Sequence, residues 1–506
     1  MVEHECQISK EACRKARLAR DPRFDGQFFI GVCTTKIFCR PVCPAVSPKE
    51  ENVRYFDTAV QAANAGLRPC LRCRPDSAPR SYAWKGTQTT LERAKALIDA
   101  GALSGIDGQN VEALSERLGI SSRYLRKLFA QKLGTSVKHY AQYRQLMFAK
   151  QLLHQSNLSI TQVAFAAGFN SIRRFNEVFK AQLQLTPSAL RKSRGQPGDS
   201  ERSQLQPLAE CGQVTLRVQL SFRPPFAWQQ QYDFYQLRAV KEMEWLDNNL
   251  SYGRSFSLNG VSGYFDAKLN EARNAFDVDI VLEKDSDLCQ LNAIINNIRR
   301  VLDLDANIYQ IDSALSLIEP LAPLMLPGLR LLGVWSAFEA GCRAVLGQQV
   351  SIVQASKLLN QLVLTYGEKR LIGEKQVTLF PTPAAIAKAE LTELKMPGAR
   401  KRALTALGQF VWDNPNADLE RWLSIKGIGP WTVAYARMRG LSEPDILLCG
   451  DLVVKKRVLA QYQTEQAGTD KSATDKGLDY ELLTQSLAKQ VAPWGSYLTF
   501  QLWNLS

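Results

Sequence analysis

Two close cysteine pairs, Cys39-Arg-Pro-Val-Cys43 and Cys70-Leu-Arg-Cys73, stand 26 residues apart near the start of the chain. Four thiolates so spaced suit one tetrahedral zinc ion, and a bound metal keeps them deprotonated at neutral pH. Residues 1 to about 80 are otherwise rich in Cys, Pro and Arg, with apolar runs as short as Phe28-Phe29-Ile30. So small a core needs a metal staple to fold. Spacing alone describes a purely structural zinc ribbon, and Cys6, Cys13 and Cys33 read as ordinary cysteines. The cysteine total is odd, at 11, and five crowd between Cys33 and Cys73. That is not a secreted disulfide framework. No secretory signal pattern is visible, so a reducing, cytoplasmic setting is expected.

At 506 residues the chain is long for one core, and several domains are expected. Its formal charge of +14 is unevenly spread. Residues 1–200 hold 31 Lys/Arg against 16 Asp/Glu, and the remainder is almost neutral, at 32 against 33. A basic block of that size suits a polyanion, and nucleic acid is favoured over a membrane because no apolar run reaches roughly 18 residues. From about Thr87 to Arg191 the periodicity is helical. Ser193 to Gln204 has no apolar residue to bury and reads as a linker. Val214 to Leu220 alternates like a strand and opens a mixed segment to about residue 320. From Trp335 onward the pattern is expected to be helical to the end.

The first region resembles the methyl-acceptor domain of the Ada family. The likeness is carried by Thr34-Thr35-Lys36-Ile37-Phe38-Cys39-Arg40-Pro41-Val42-Cys43, Glu51-Asn52-Val53 and Gly66-Leu67-Arg68-Pro69-Cys70-Leu71-Arg72-Cys73. It implies that Cys39, Cys43, Cys70 and Cys73 hold zinc and that Cys39 is also a nucleophile toward the methyl group of a DNA phosphotriester. Arg40 and Arg68 are its expected phosphate partners, while Val46 stands where a basic contact is expected. Methylation would remove a negative charge beside DNA phosphates and so tighten binding by the basic half.

In the helical region, Val111, Leu114 and Leu118 share a face, Gly119 ends that helix, and a second helix turns Arg123 and Arg126 outward. The plan recurs: Ile160, Val163, Ala164 and Ala167 precede Gly168-Phe169, and the next helix buries Phe175, Val178 and Phe179 while showing Arg173, Arg174 and Asn176. Helix, glycine turn and basic helix is the helix-turn-helix plan. A basic helix taken singly is an ordinary solvated face; two copies in a basic block favour DNA. The region resembles the AraC-type DNA-binding domain at Gly168-Phe169-Asn170-Ser171, Phe175, Phe179-Lys180 and Thr186-Pro187, with Gln184 where a glycine is usual.

Further on, Gly427-Ile428-Gly429-Pro430-Trp431 is a turn whose amides can hold a phosphate, and Asp451 follows 20 residues after Trp431. Alone, Asp451 reads as a helix N-cap. The segment resembles the helix-hairpin-helix DNA glycosylases, in particular the AlkA type. That likeness includes Ala337-Phe338-Glu339, Ala344-Val345-Leu346-Gly347-Gln348-Gln349-Val350-Ser351 and Trp494-Gly495-Ser496-Tyr497. It implies that Gly427 and Gly429 bind DNA, that Asp451 is the catalytic carboxylate and that Trp431, Tyr435 and Trp503 line the base pocket. Gln349 falls at the position of an apolar duplex wedge. Glycosylases that also nick DNA carry a lysine where this chain has Trp431, so base excision without strand cleavage is expected.

The expected fold is multidomain α+β: a zinc-stapled domain (1–80), an all-α double helix-turn-helix domain (85–192), a linker (193–208), a mixed α/β subdomain (209–320) and an all-α helix-hairpin-helix body (321–506). Expected partners are alkylated double-stranded DNA, a specific operator and RNA polymerase, with no membrane and a monomeric state. The competing reading is a transcription regulator whose glycosylase-like domain only grips DNA. A blander one is a zinc protein that merely coats it.

Overall fold

The computed structural model describes residues 9–20, 28–57, 59–70, 72–73, 75, 87–99, 101–103, 110–156, 158–192, 214–415, 417–469 and 480–504. Cys6 and the linker at 193–208 lie outside them. The chain forms two compact units, Met1–Arg144 and Gln145–Ser506.

In the first unit, helix α1 (Lys10–Ala19) is capped by Ser9, whose Oγ accepts from the Ala12 amide. A four-stranded sheet follows, β1 (Phe29–Val32), β2 (Ile37–Cys39), β3 (Val53–Phe56) and β4 (Arg68–Pro69), in the order β3-β1-β2-β4, with helix α2 (Ala59–Asn64). Strand alternation sends Ile30 to a cluster with Phe28, Cys13 and Ala16, and Phe29 to another with Phe38 and Ala62. Neither cluster is large, as expected of a domain that depends on metal. The parallel pairing of β2 with β4 is decisive for the site. It sets Ile37 beside Arg68 and Phe38 beside Pro69, and the Cys70 amide donates to the Phe38 carbonyl at 2.9 Å. The two cysteine pairs are thereby brought side by side.

Helices α3 (Thr87–Asp99), α4 (Val111–Leu118) and α5 (Ser122–Leu133) pack Leu91, Val111, Leu114, Leu125 and Phe129 into one core. Gly119 closes α4 in the left-handed conformation, φ 71°. The division between the units falls within α6 (Val137–Gln155). In the second unit α7 (Ile160–Ala166), α8 (Ile172–Leu183) and α9 (Pro187–Lys192) repeat the plan, with Phe169, Phe175 and Phe179 buried between them. Gln184 does the work of the missing glycine: it caps α8 at φ 56°.

Strand β5 (Val214–Ser221) alternates buried and exposed residues as read from the sequence. It begins an antiparallel sheet of order β5-β9-β8-β7-β6, with β6 (Glu244–Leu246), β7 (Ser251–Leu258), β8 (Val261–Asn270) and β9 (Ala275–Leu282). Helices α10 (Trp228–Gln236), α11 (Leu291–Val301) and α12 (Ile308–Leu315) belong to this layer. The body is helical: α13 (Ala337–Gly347), α14 (Ile352–Tyr366), α15 (Pro383–Ala387), α16 (Gly398–Asp413), α17 (Pro430–Gly440), α18 (Leu452–Thr469), α19 (Tyr480–Val491) and α20 (Gly495–Asn504). One expectation is corrected. The region after Trp335 is not helical throughout, because β10 (Lys369–Ile372) and β11 (Lys375–Thr378) form a hairpin turned at Gly373, φ 64°. Four-residue strands are too short to announce a period, and this pair is stabilised by packing Ile372 and Val377 on Val281 of the sheet.

Sheet and body are joined by a buried ion network. Arg254 on β7 reaches Glu339 on α13 at 2.8 Å, and Arg343, one turn on, bonds both Glu339 at 2.8 Å and Glu244 on β6 at 3.1 Å. Burial alone would raise the Glu339 carboxyl, but the two guanidinium charges outweigh it and hold it at about 2. A depressed carboxyl stabilises the fold above its unfolded pKa, and this is lost as pH falls from about 4.5 toward about 2. We expect Glu339→Gln to lower stability by about 3 kcal/mol or more at pH 7. The deficit should shrink as pH falls to 3 in urea unfolding; one that does not change with pH would contradict this account.

Candidate thiolate centre and DNA-facing cleft

In the first unit the sulfurs of Cys39, Cys43, Cys70 and Cys73 all lie within 4.8 Å of one another. Tetrahedral zinc with ordinary Zn–S bonds holds its sulfurs about 3.8 Å apart, so the four fit that ion. Left to themselves the thiols oppose one another. Hydrogen bonding to Cys43 pushes Cys39 far up, and the same contact draws Cys43 down. Only a cation lets all four ionise together. The Arg40 amide donates toward the Cys73 sulfur at 3.4 Å, a contact that orients a ligand. Cys43, Cys70 and Cys73 are buried, whereas Cys39 is partly exposed. Cys39 is thus the most exposed residue of the four.

Arg40 is placed differently from its expected role. Its side chain is buried, and its guanidinium donates to the Cys73 carbonyl at 3.3 Å, so it braces the centre instead of facing outward. Arg68 is exposed, and Val46 is 94 % exposed. Arg123 and Arg126 project from α5, Arg126 paired with Glu112. Arg173, Arg174 and Asn176 project from α8, and Arg173 pairs with Glu177 one turn on. Such exposed pairs contribute little and are readily exchanged for phosphate.

In the second unit Asp451 stands at the head of α18. Its Oδ1 accepts from the amides of Val453 at 2.9 Å and Val454 at 3.2 Å, so the N-cap reading holds. It also accepts from the Trp503 indole at 3.2 Å. Among the described residues Oδ2 accepts no hydrogen bond. The segment leading to Asp451 is fixed by α20: the Ile446 amide donates to Ser496 Oγ at 3.0 Å and the Leu448 amide to Thr499 Oγ1 at 3.1 Å. This explains the residues after Trp494, whose role the sequence did not reveal.

Asp451, Trp431, Tyr435, Trp503 and Gln349 line one cavity of about 970 Å³. Three rings form a wall, with Trp431 to Tyr435 at 5.3 Å and Tyr435 to Trp503 at 6.1 Å, and Phe234 stacks on Trp503 at 6.4 Å behind it. Phe234 and Arg238, from the α10 region, were missed in the sequence because nothing near them signals a site 200 residues downstream. Gln349 is exposed at the mouth on a left-handed backbone, φ 55°. Gln348 beside it ties α13 to the hairpin, donating to the Gly427 carbonyl at 3.2 Å.

The hairpin has the geometry its glycines require. Gly427 takes φ 95°, and a Cβ there would lie 2.9 Å from that of Ala403. Gly429 faces open space and caps α17, with Pro430 in the first turn. Helix start and turn together present amides to an anion.

Residues 12–76 match the metal-binding domain of Ada, 114–193 a helix-turn-helix domain and 217–336 the AlkA N-terminal domain. These matches, with the thiolate centre and cleft, define a multidomain zinc- and DNA-binding repair protein. Over 97% of its length it is 33% identical to the probable bifunctional transcriptional activator/DNA repair enzyme AlkA of Mycobacterium tuberculosis, covering 96% of that protein. The chain belongs to this family of bifunctional activators and repair enzymes. DNA-3-methyladenine glycosylase 2 of Escherichia coli is 28% identical over 56% of the chain and 95% of that enzyme. The bifunctional transcriptional activator/DNA repair enzyme Ada of the same organism is 34% identical over 30% of the chain and 40% of its own length.

Two outcomes test these sites. Chelating the metal should expose residues 28–73 to proteolysis while leaving Gln145–Ser506 intact; an unchanged digestion pattern would argue against a metal-dependent domain. Gly427→Ala should lower stability by about 1–3 kcal/mol through its left-handed φ and weaken duplex binding, whereas Gly429→Ala should leave thermal stability within about 0.5 kcal/mol.

Proposed function

We propose that residues 209–506 excise alkylated bases such as 3-methyladenine by hydrolysis, with Asp451 as the carboxylate that meets the developing sugar cation. The observation that carries this reading is the placing of Asp451. Its Oδ1 is anchored by two amides and an indole, and it faces an aromatic-walled cavity. A flipped base enters the cavity and stacks on Trp431, Tyr435 and Trp503. The C1′–N bond breaks and its electron pair leaves with the base. Asp451 stabilises the positive charge on the sugar, and water oxygen bonds to C1′ and releases one proton to solvent. Gly427 and Gly429 grip a phosphate, and Gln349 fills the vacated stack. Trp431 stands in place of a lysine and, among the described residues, no lysine lines the cavity to form a Schiff base, so the product is an intact abasic strand.

The domain at 1–80 accepts a methyl group from a DNA methylphosphotriester. Zinc supplies a medium in which the Cys39 thiolate persists at neutral pH. That sulfur attacks the methyl carbon, the carbon–oxygen bond breaks with its electrons going to the phosphate, and a thioether remains. Arg68 holds the phosphate and Arg40 braces the ligands. The helix-turn-helix units at 85–192 read an operator through Arg123, Arg126, Arg173, Arg174 and Asn176, joined through the linker at 193–208. RNA polymerase is the partner of the activator role, and a cytoplasmic monomer is the working form. Among the described residues no helix is long and apolar enough to cross a membrane.

Asp451→Asn should reduce release of 3-methyladenine from duplex DNA by about 100-fold or more, the scale of a lost electrostatic stabiliser, without strand nicking in either protein. Cys39→Ser should abolish methyl uptake from methylphosphotriester DNA and leave base release intact. A wild-type chain that binds DNA but releases no base would favour the regulator that only grips DNA.

A further inference from the structure

Three arginines line the cavity that holds Asp451: Arg238, Arg343 and Arg439. Arg343 is neutralised by Glu244 and Glu339. The other two are not. Among the described residues neither Arg238 nor Arg439 makes an ion pair. Arg238 donates to the Phe234 carbonyl at 3.2 Å, and Arg439 to the Leu332 carbonyl at 2.6 Å and toward the Tyr435 hydroxyl at 3.4 Å. Both guanidiniums lie against the Phe234 ring, 3.7 and 5.1 Å from its centroid, and that ring stacks on Trp503. Burial, and then the charge of Arg439, lowers Arg238 to about 10, which still leaves it cationic at neutral pH.

Two guanidiniums without an ion pair among the described residues, against the single lining carboxylate of Asp451, leave the pocket net positive, an odd welcome for a base that itself carries a positive charge. They suit a neutral base whose edge offers acceptors. Such a base is also the harder leaving group, because its departure places a negative charge on the ring nitrogens, and a fixed guanidinium is the donor that charge requires. We propose that Arg238 is a specificity-determining residue of this cleft, hydrogen-bonding the acceptor edge of a flipped neutral base and stabilising its anion as the glycosidic bond breaks. Arg238 is the contact, since Arg439 is the more buried and is tied to Leu332 and Tyr435. No proton leaves the guanidinium. Electrons pass from the C1′–N bond to the base, water oxygen bonds to C1′, and the proton released from that water neutralises the base. Stacking on Phe234 fixes the planar donor, which a lysine at the same position would not reproduce.

The inference rests on the glycosylase reading, and the test separates the two. The full chain is assayed on matched duplexes containing either 3-methyladenine, the cationic probe, or hypoxanthine, a neutral purine with a carbonyl acceptor. Arg238→Met is expected to lose at least tenfold on hypoxanthine, the scale of one charge-assisted hydrogen bond. Its loss on 3-methyladenine should be threefold or less. Arg238→Lys, which keeps the charge, should recover part of the hypoxanthine rate. Equal losses on both bases would show a structural role and overturn the proposal, as would a hypoxanthine rate unchanged in Arg238→Met or absent from the wild type while 3-methyladenine is released. A wild-type chain that releases neither base removes the glycosylase reading, and this inference with it.

Discussion

The buried pairing of Glu244 and Glu339 with Arg254 and Arg343 is the constraint on which the cleft depends. Four charges with almost no exposure are stable only together, because each alone would face an uncompensated desolvation cost. Two of them sit on sheet strands and two on α13, so the network fixes the sheet layer against the helical body. α13 then runs on to Gln348 and Gln349 at the cavity mouth, while Arg343 itself forms part of the wall. A charge network that holds two layers therefore also sets the position of the reactive end.

The cavity is accordingly a product of distant segments. Arg238 comes from the sheet layer, Trp431 and Tyr435 from α17, Trp503 from α20, and Asp451 from the start of α18, with Phe234 behind Trp503. Local contacts hold some of them, and contacts distant in sequence bring them together. Asp451 is delivered by the Ser496 and Thr499 hydroxyls, Trp503 is stacked on Phe234, and the Arg238 guanidinium sits over that same ring, 3.7 Å from its centroid. Preorganisation of this kind leaves little reorganisation to be done when a base arrives.

The first unit solves a different problem. Its apolar clusters are small, and the parallel contact of β2 with β4 sets the two cysteine pairs side by side. Metal binding and folding are then a single event. Three of the four ligands are buried and Cys39 is partly exposed, so four chemically equal thiols differ in their surroundings.

Much of this was legible in the order of residues. The cysteine spacing announced a metal, paired glycine turns with basic helices announced two DNA-reading units, and the alternation of Val214 to Leu220 announced a strand. These are local patterns, and local sterics and periodicity suffice to produce them. The β10–β11 hairpin escaped, because strands of four residues exist only through their packing on Val281. Arg40, read as a phosphate contact, turned inward onto Cys73. Asp451 was visible as a helix cap, and it is one; what tertiary structure decided is that the same carboxylate shares a cavity with three aromatic rings and two arginines that make no ion pair among the described residues. Sequence determines which groups are present and how each segment folds. Only packing across some 200 residues decides which of those groups meet.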